Sequence, residues 1–177
     1  MKGGFRLRTW KRRFVPLLCL LLLAGGICLP RPVRADPTDD TRYPGFAGRL
    51  SIPDVGIDVA LYRSNAQSVV DRRDSAAYFT LPSWPGHEII ADHRTQDFGA
   101  LHRVTKGMEA CIRRRDGSVL RFVCVDAFDG HNTGKYISDE SGKIVMHRAD
   151  LLMYTCRGYW RNVRVVLWKE VDGDAGK

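Results

Sequence analysis

The chain has 177 residues, 44% hydrophobic and 27% charged, enough for one domain with a sizeable core. Its formal net charge of +8 is unevenly placed: residues 1–35 hold eight of the 28 Lys and Arg and no acid, so the other 142 residues carry 20 basic and 20 acidic side chains. A body without net charge argues against the clustered basic surface that nucleic-acid binding requires, and no nucleic-acid partner is expected.

The cationic stretch Met1–Arg13 precedes the apolar run Phe14–Leu29, interrupted only by Pro16 and Gly25-Gly26. This is the pattern of a secretory signal, and Val33-Arg34-Ala35 offers a small-residue cleavage site. Left uncut, residues 1–35 would act as a signal anchor with the cationic end in the cytoplasm. Either way the body is expected outside the cytoplasm, anchored to the membrane by this segment or secreted after cleavage near Ala35. Residues 36–45 are polar and turn-rich and read as a linker. Residues 46–171 form the folded domain, and 172–177 a C-terminal tail.

Within the domain, Gly48–Pro53 begins as a strand that the proline stops, and Ile57–Leu61 alternates as a half-buried strand does. Ser64 or Asn65 would cap a short helix carrying Val69-Val70. Glu88–Asp92 reads as a strand, and Phe98, Leu101 and Val104 have the spacing of a short helix. Met108–Arg115 and Val119–Phe128 flank a turn, residues 129–142 form a long loop, Lys143–Met146 suits a short strand, and Asp150–Cys156 and Val163–Val171 complete the set. Eight short strands with little helix point to a barrel or sandwich.

Cys111 and Cys124 lie on the two arms of that hairpin. They would face each other if the loop is centred on Gly117-Ser118, and miss by register if it is centred on Asp116-Gly117. If they pair, Cys156 is the leftover thiol. No Cys-x-x-Cys is present, and neither a metal nor a cofactor is expected.

Three chemically capable residues sit at the edges of apolar strands: Cys156 ends Leu151–Cys156, His93 follows Ile89-Ile90-Ala91-Asp92, and Arg164 heads Val165–Trp168. A thiol becomes a nucleophile as the thiolate, which a nearby imidazolium favours. The imidazole can then serve as acid toward a leaving amine. The fixed donors of a guanidinium suit a developing oxyanion or a substrate carbonyl. Thr155, Trp160 and Arg161 are candidate substrate contacts, Arg161 also being a rival for the role of Arg164. His87 and His102 are rivals for that of His93, while His131 and His147 flank the long loop. Asp92 reads as a turn or edge aspartate.

Taken in order, these segments resemble a known family. Gly48-Arg49-Leu50-Ser51-Ile52-Pro53 followed by Ile57–Leu61, Pro85-Gly86 before Ile89-Ile90-Ala91-Asp92-His93-Arg94, Phe98-x-x-Leu101-x-x-Val104-x-x-Gly107, Leu151-Leu152-x-x-Thr155-Cys156 and Arg164-Val165-Val166-Leu167 are similar to the sortases, cysteine transpeptidases of Gram-positive cell surfaces. The resemblance spans Gly48–Glu170 and leaves the sortase class unassigned. It implies a mostly β protein with a closed eight-stranded barrel and short helices in the connections. It implies Cys156 as nucleophile, His93 as acid/base partner and Arg164 as the oxyanion or substrate-positioning residue. The implied substrates are exported proteins with a C-terminal sorting motif of the Leu-Pro-x-Thr-Gly type, and the implied acceptor is an amine of cell-wall precursor or pilin. Two other functions fit the same residues: a cysteine hydrolase on this scaffold, and a non-catalytic exported binding module with Cys156 in its core.

Overall fold

The apolar alternation of residues 48–52 and 57–61 is realised as an antiparallel hairpin, β1 (Phe46–Ile52) and β2 (Ile57–Arg63), in the computed structural model, which describes residues 44–82, 84–158 and 161–171. Pro53–Val55 forms a 3-10 turn between them, ended by Gly56 in a left-handed conformation at φ 76°. The chain continues through the one-turn helix α1 (Gln67–Val70), β3 (Ser75–Thr80), β4 (Glu88–Ala91) and a 3-10 stretch, Asp97–Arg103. Then follow β5 (Glu109–Arg114), β6 (Val119–Asn132), β7 (Ile137–Asp139), a 3-10 turn at Met146–Arg148, β8 (Leu151–Cys156) and β9 (Asn162–Val171). The leader with its apolar segment, residues 36–43 of the linker, Trp160 and the tail lie outside the described residues.

The sheet order is β5-β1-β2-β3-β4-β8-β9-β6-β7, and β5 also pairs with β6. That last pairing closes eight strands into a barrel and leaves β7 as a short addition on the far half of β6. Two neighbouring pairs are parallel, β2 with β3 and β4 with β8; the rest are antiparallel. The parallel β4–β8 pair decides where chemistry can occur. It sets the C-terminal ends of both strands at one end of the barrel, and antiparallel β9 brings its N-terminal end to the same place.

Inward side chains of the strands, among them Leu50, Val59, Ile90, Met153, Val166 and Trp168, form one buried cluster. Phe98, Leu101 and Val104 belong to that cluster and are fully buried. Their spacing of three matches the 3-10 period, so one face of this stretch packs against β2, β8 and β9. A second cluster lies on the other face of β4, β8 and β9, where Ile89, Leu152, Val163, Val165 and Leu167 meet Ile137, Val145 and Met146. β8 is therefore buried on both faces, which explains its unbroken apolar run.

Several expectations change in detail. α1 is not capped by Ser64 or Asn65: its N-cap is Ala66, and the Ser64 hydroxyl instead accepts the Ala66 N–H at 3.0 Å. β3 was absent from the expected set because Ser75-Ala76-Ala77-Tyr78 is buried on both faces and shows no alternation. Residues 143–146 contribute only an isolated bridge, Ser138 with Ile144, before the 3-10 turn. β6 runs on to Asn132 past an irregularity between Cys124 and Asp126, so much of the expected loop is the β6–β7 ribbon. The β5–β6 register pairs Arg113 with Val119 and Cys111 with Arg121, a loop centred on Asp116. Cys111 and Cys124 consequently lie on opposite faces and do not pair with each other.

Candidate active site

β4 and β8 are joined in register from Glu88 with Leu151 to Ala91 with Tyr154. Two residues further on, the same register sets His93 level with Cys156. The intervening step is fixed by a side chain: Thr155 Oγ1 donates to the Asp92 carbonyl at 2.8 Å, and Thr155 is fully buried. β9 pairs Thr155 with Arg164 and Cys156 with Val163. Cys156 and Arg164 thus stand on β8 and β9, and His93 two residues beyond the end of neighbouring β4, all at one end of the barrel. Of the cysteines among the described residues, only Cys156 is exposed; Cys111 and Cys124 are buried. Burial pushes the Cys124 thiol above its ordinary value, which keeps it protonated and inert.

The three side chains do not converge on one another. Directly opposed residues share a face of a sheet, so Arg164 lies with Thr155 while Cys156 lies with Val163. The Arg164 guanidinium is half-buried and turns toward the 3-10 stretch. Its Nη2 donates to the Val104 carbonyl at 3.3 Å, its Nε approaches the Leu101 carbonyl at 3.5 Å, and its Nη1 lies 3.7 Å from Asp129 Oδ1. Asp129, opposite Arg164 on β6, is also ion-paired with Arg157. Burial, then the charge of Arg157, lowers the pKa of Arg164 from its ordinary value. The imidazole of His93 is turned to α1: its Nε2 lies 2.9 Å from Asp71 Oδ1 and 3.1 Å from Gln67 Nε2.

Arg161 is exposed and adopts a left-handed backbone at φ 74°, and its carbonyl accepts the Asn132 N–H at 2.8 Å. Among the other histidines, His87 Nδ1 lies 3.1 Å from the Ala149 carbonyl and His147 stacks on Trp84. His131 Nδ1 is 3.0 Å from Asn162 Oδ1. His102 lies in the 3-10 stretch, and burial, then Arg164, pushes its pKa down. An open cavity of about 360 Å³ begins one residue beyond Cys156, lined by Arg157, Asn162, Asp129, Gly130, His131 and Glu140. Among the described residues no three His, Cys, Asp or Glu side chains gather as a metal site would require.

Asp92 departs most from expectation. It is no edge aspartate: only 3% of its surface is exposed. Its Oδ1 accepts the His93 N–H at 2.6 Å, and its Oδ2 is buried without a hydrogen-bond partner. Burial, and after it the nearby Asp97 charge, outweigh that hydrogen bond and raise its pKa to about 7. The signal was present in the strand period. Residues two apart share a face, and Ile90 faces the barrel interior.

No protein-family model matches the sequence, and no curated protein matches it. Solved structures do. Sortase C1 from Streptococcus agalactiae aligns over 73% of this chain and 69% of its own, with a TM-score of 0.57 and 20% identity. Sortase A from Corynebacterium diphtheriae aligns over 76% of this chain and 65% of its own, with a TM-score of 0.57 and 14% identity. The chain has the sortase fold. A third sortase-fold structure, sortase C from Clostridium perfringens with the C-terminal cell wall sorting motif, aligns over 74% of each chain, with a TM-score of 0.55 and 15% identity. The class of sortase is not distinguished, since sortases C and A match this chain about equally well. The closed eight-stranded barrel expected from the sequence is the architecture observed.

Proposed function

We propose that this protein is an exported sortase-like cysteine transpeptidase acting on proteins that carry a C-terminal sorting motif of the Leu-Pro-x-Thr-Gly type. The observation that carries this reading is the exposed thiol of Cys156, held at the end of β8 beside the segments bearing His93 and Arg164 in a sortase fold. In the proposed reaction the Sγ proton passes to His93, and the thiolate adds to the carbonyl carbon of the scissile peptide bond. Arg164 stabilises the resulting oxyanion, for which it must exchange its bonds to Leu101 and Val104 for substrate. Collapse breaks the C–N bond, the leaving amine takes the proton from His93, and the acyl group remains on Cys156 as a thioester. An amine of cell-wall precursor or pilin then attacks the thioester and restores the thiol. Trp160 and Arg161 are proposed to shape the substrate groove, while Thr155, fully buried with its hydroxyl on the Asp92 carbonyl, supports the site from beneath and not as the substrate contact expected from the sequence. Residues 1–35 are proposed to carry the domain across the membrane and to tether it there, or to release it after cleavage near Ala35.

A library of sorting-motif peptides incubated with the protein tests this reading. Mass spectrometry is expected to find a thioester on Cys156 with at least one peptide, none in Cys156→Ala, and an amine adduct when a primary amine is supplied. Cleavage without any amine adduct would assign the protein to the hydrolases instead. Absence of both thioester and cleavage, with Cys156→Ala equally folded, would leave a binding module.

A further inference from the structure

His93 Nε2 has two close neighbours on α1, Asp71 Oδ1 at 2.9 Å and Gln67 Nε2 at 3.1 Å, and Gln67 Nε2 itself donates to Asp71 Oδ1 at 2.8 Å. A ring nitrogen that bears a proton donates, and one that does not can only accept. An ionised carboxylate can only accept, so the contact with Asp71 is a hydrogen bond when Nε2 carries the proton. The Gln67 amide, four residues earlier on the helix, then serves the same oxygen as a second donor; like the protonated Nε2 it can only donate, so its 3.1 Å approach to the ring is a contact between two donors and not a hydrogen bond. The hydrogen bond from His93, and after it that from Gln67, hold the Asp71 carboxyl below its ordinary value, so it is ionised at neutral pH.

A one-turn helix has no stability of its own, so something else must hold Asp71 in place. Two side chains bind the carbonyls at the C-terminal end of α1. Ser75 Oγ donates to Val69 O at 2.8 Å, and Gln96 Nε2 donates to Val70 O at 3.0 Å. Both lie where a helix end leaves carbonyls short of intrahelical partners, and that of Val69 also accepts the Arg72 N–H at 3.2 Å. Gln96 lies three residues beyond His93, and its own N–H bonds to the His93 carbonyl at 3.1 Å. The segment carrying the imidazole and the helix carrying the carboxylate are thus fastened to each other by the Gln96 side chain as well as through Asp71.

We propose that Asp71 is a positioning residue for His93: it fixes the imidazole with its proton on Nε2 and leaves Nδ1 as the nitrogen that exchanges a proton with Cys156. This rests on the transpeptidase reading for its role in turnover, but not for the hydrogen bond itself. In the forward direction the proton leaves Sγ for Nδ1, giving a thiolate and an imidazolium whose Nε2–H stays on Asp71. Nδ1 later delivers that proton to the departing amine. Gln67 keeps the carboxylate aimed, and the assignment makes α1 part of the acid/base machinery.

Nitrogen-15 NMR of the histidine side chains in the intact protein reads the tautomer directly. At pH 8 the wild type is expected to show His93 with a protonated Nε2 and an unprotonated Nδ1. Asp71→Asn and Asp71→Ala are expected to show tautomer exchange, and Asp71→Glu to restore the wild-type pattern. In peptide cleavage, kcat is expected to fall roughly 10- to 100-fold in Asp71→Asn with KM little changed, a part of the roughly 10²- to 10⁴-fold that acid–base catalysis contributes. An unchanged His93 pattern in both Asp71→Asn and Asp71→Ala overturns the proposal whatever the activity. A wild type that cleaves no peptide but whose tautomer signature depends on Asp71 refutes the transpeptidase reading and supports the Asp71–His93 coupling.

Discussion

Replacing Asp92 with Asn should make the protein more stable at alkaline pH while changing little in acid. The carboxyl has a pKa of about 7 in the folded protein against an ordinary 3.8. Below about pH 4 both folded and unfolded chains hold the proton, and the buried group carries no charge. Between about pH 4 and pH 7 the unfolded chain is already ionised while the folded one still holds its proton, and above 7 the folded one must bury an anion whose Oδ2 has no hydrogen-bond partner. Stability is therefore highest below the unfolded value and is lost as pH climbs through the folded one. At roughly 1.36 kcal/mol per unit the shift corresponds to about 4 kcal/mol, and water reaching the carboxylate trims this to about 2–4 kcal/mol. Asn keeps an oxygen for the His93 N–H and has no charge to bury. Urea unfolding of wild type and Asp92→Asn at pH 4 and pH 8 measures the effect. The stability difference between the two proteins should grow by about 2–4 kcal/mol, in favour of Asn, between the two pH values. A change below about 0.5 kcal/mol would refute the assignment of Asp92 as a buried, protonated acid.

Three other outcomes follow from the geometry. In the native protein a thiol reagent should modify Cys156 at once, and Cys111 and Cys124 only as fast as the barrel opens, because these are 8% and 1% exposed; equal rates for the three would contradict the burial. Thr155→Val removes the donor that serves the Asp92 carbonyl and should cost about 1–3 kcal/mol in chemical denaturation, with peptide cleavage falling as His93 and Cys156 lose their common register. Arg164→Lys should abolish most cleavage, since an ammonium cannot reproduce the two-dimensional fork of donors, while Arg161→Lys should retain it; the reverse order would move the oxyanion role to Arg161.

Much of the barrel was legible because most of its strands alternate or run as short apolar segments between turns. β3 was not, because Ser75, Ala76, Ala77 and Tyr78 are all buried and present no polar face. The hairpin register was ambiguous from composition, and the observed centre at Asp116 is one that pairs neither cysteine with the other. Strand ends carrying Cys156, His93 and Arg164 could be picked out by residue type. Their side-chain directions could not, since those depend on cross-strand partners such as Asp129 and on a helix 22 residues upstream of His93. Asp92 was misjudged by comparing it with its neighbour His93 rather than with Ile90, whose interior face it shares. Asp71 had no distinguishing signal: an acidic residue just after a short helix is ordinary, and only the fold brings it to the imidazole.

The parallel pairing of β4 with β8 has a consequence for how the protein comes into being. Thr155 and Asp92 are 63 residues apart, and a parallel pair cannot be nucleated by a tight turn. Closing so long a loop is entropically costly until β5, β6 and β9 are in place to receive β8. The strand ends that carry Cys156, His93 and Arg164 are therefore expected to meet late in folding, after much of the wall that holds them. A newly made chain would carry Cys156 for some time apart from the segments bearing His93 and Arg164, and their approach would mark the final closure of the barrel.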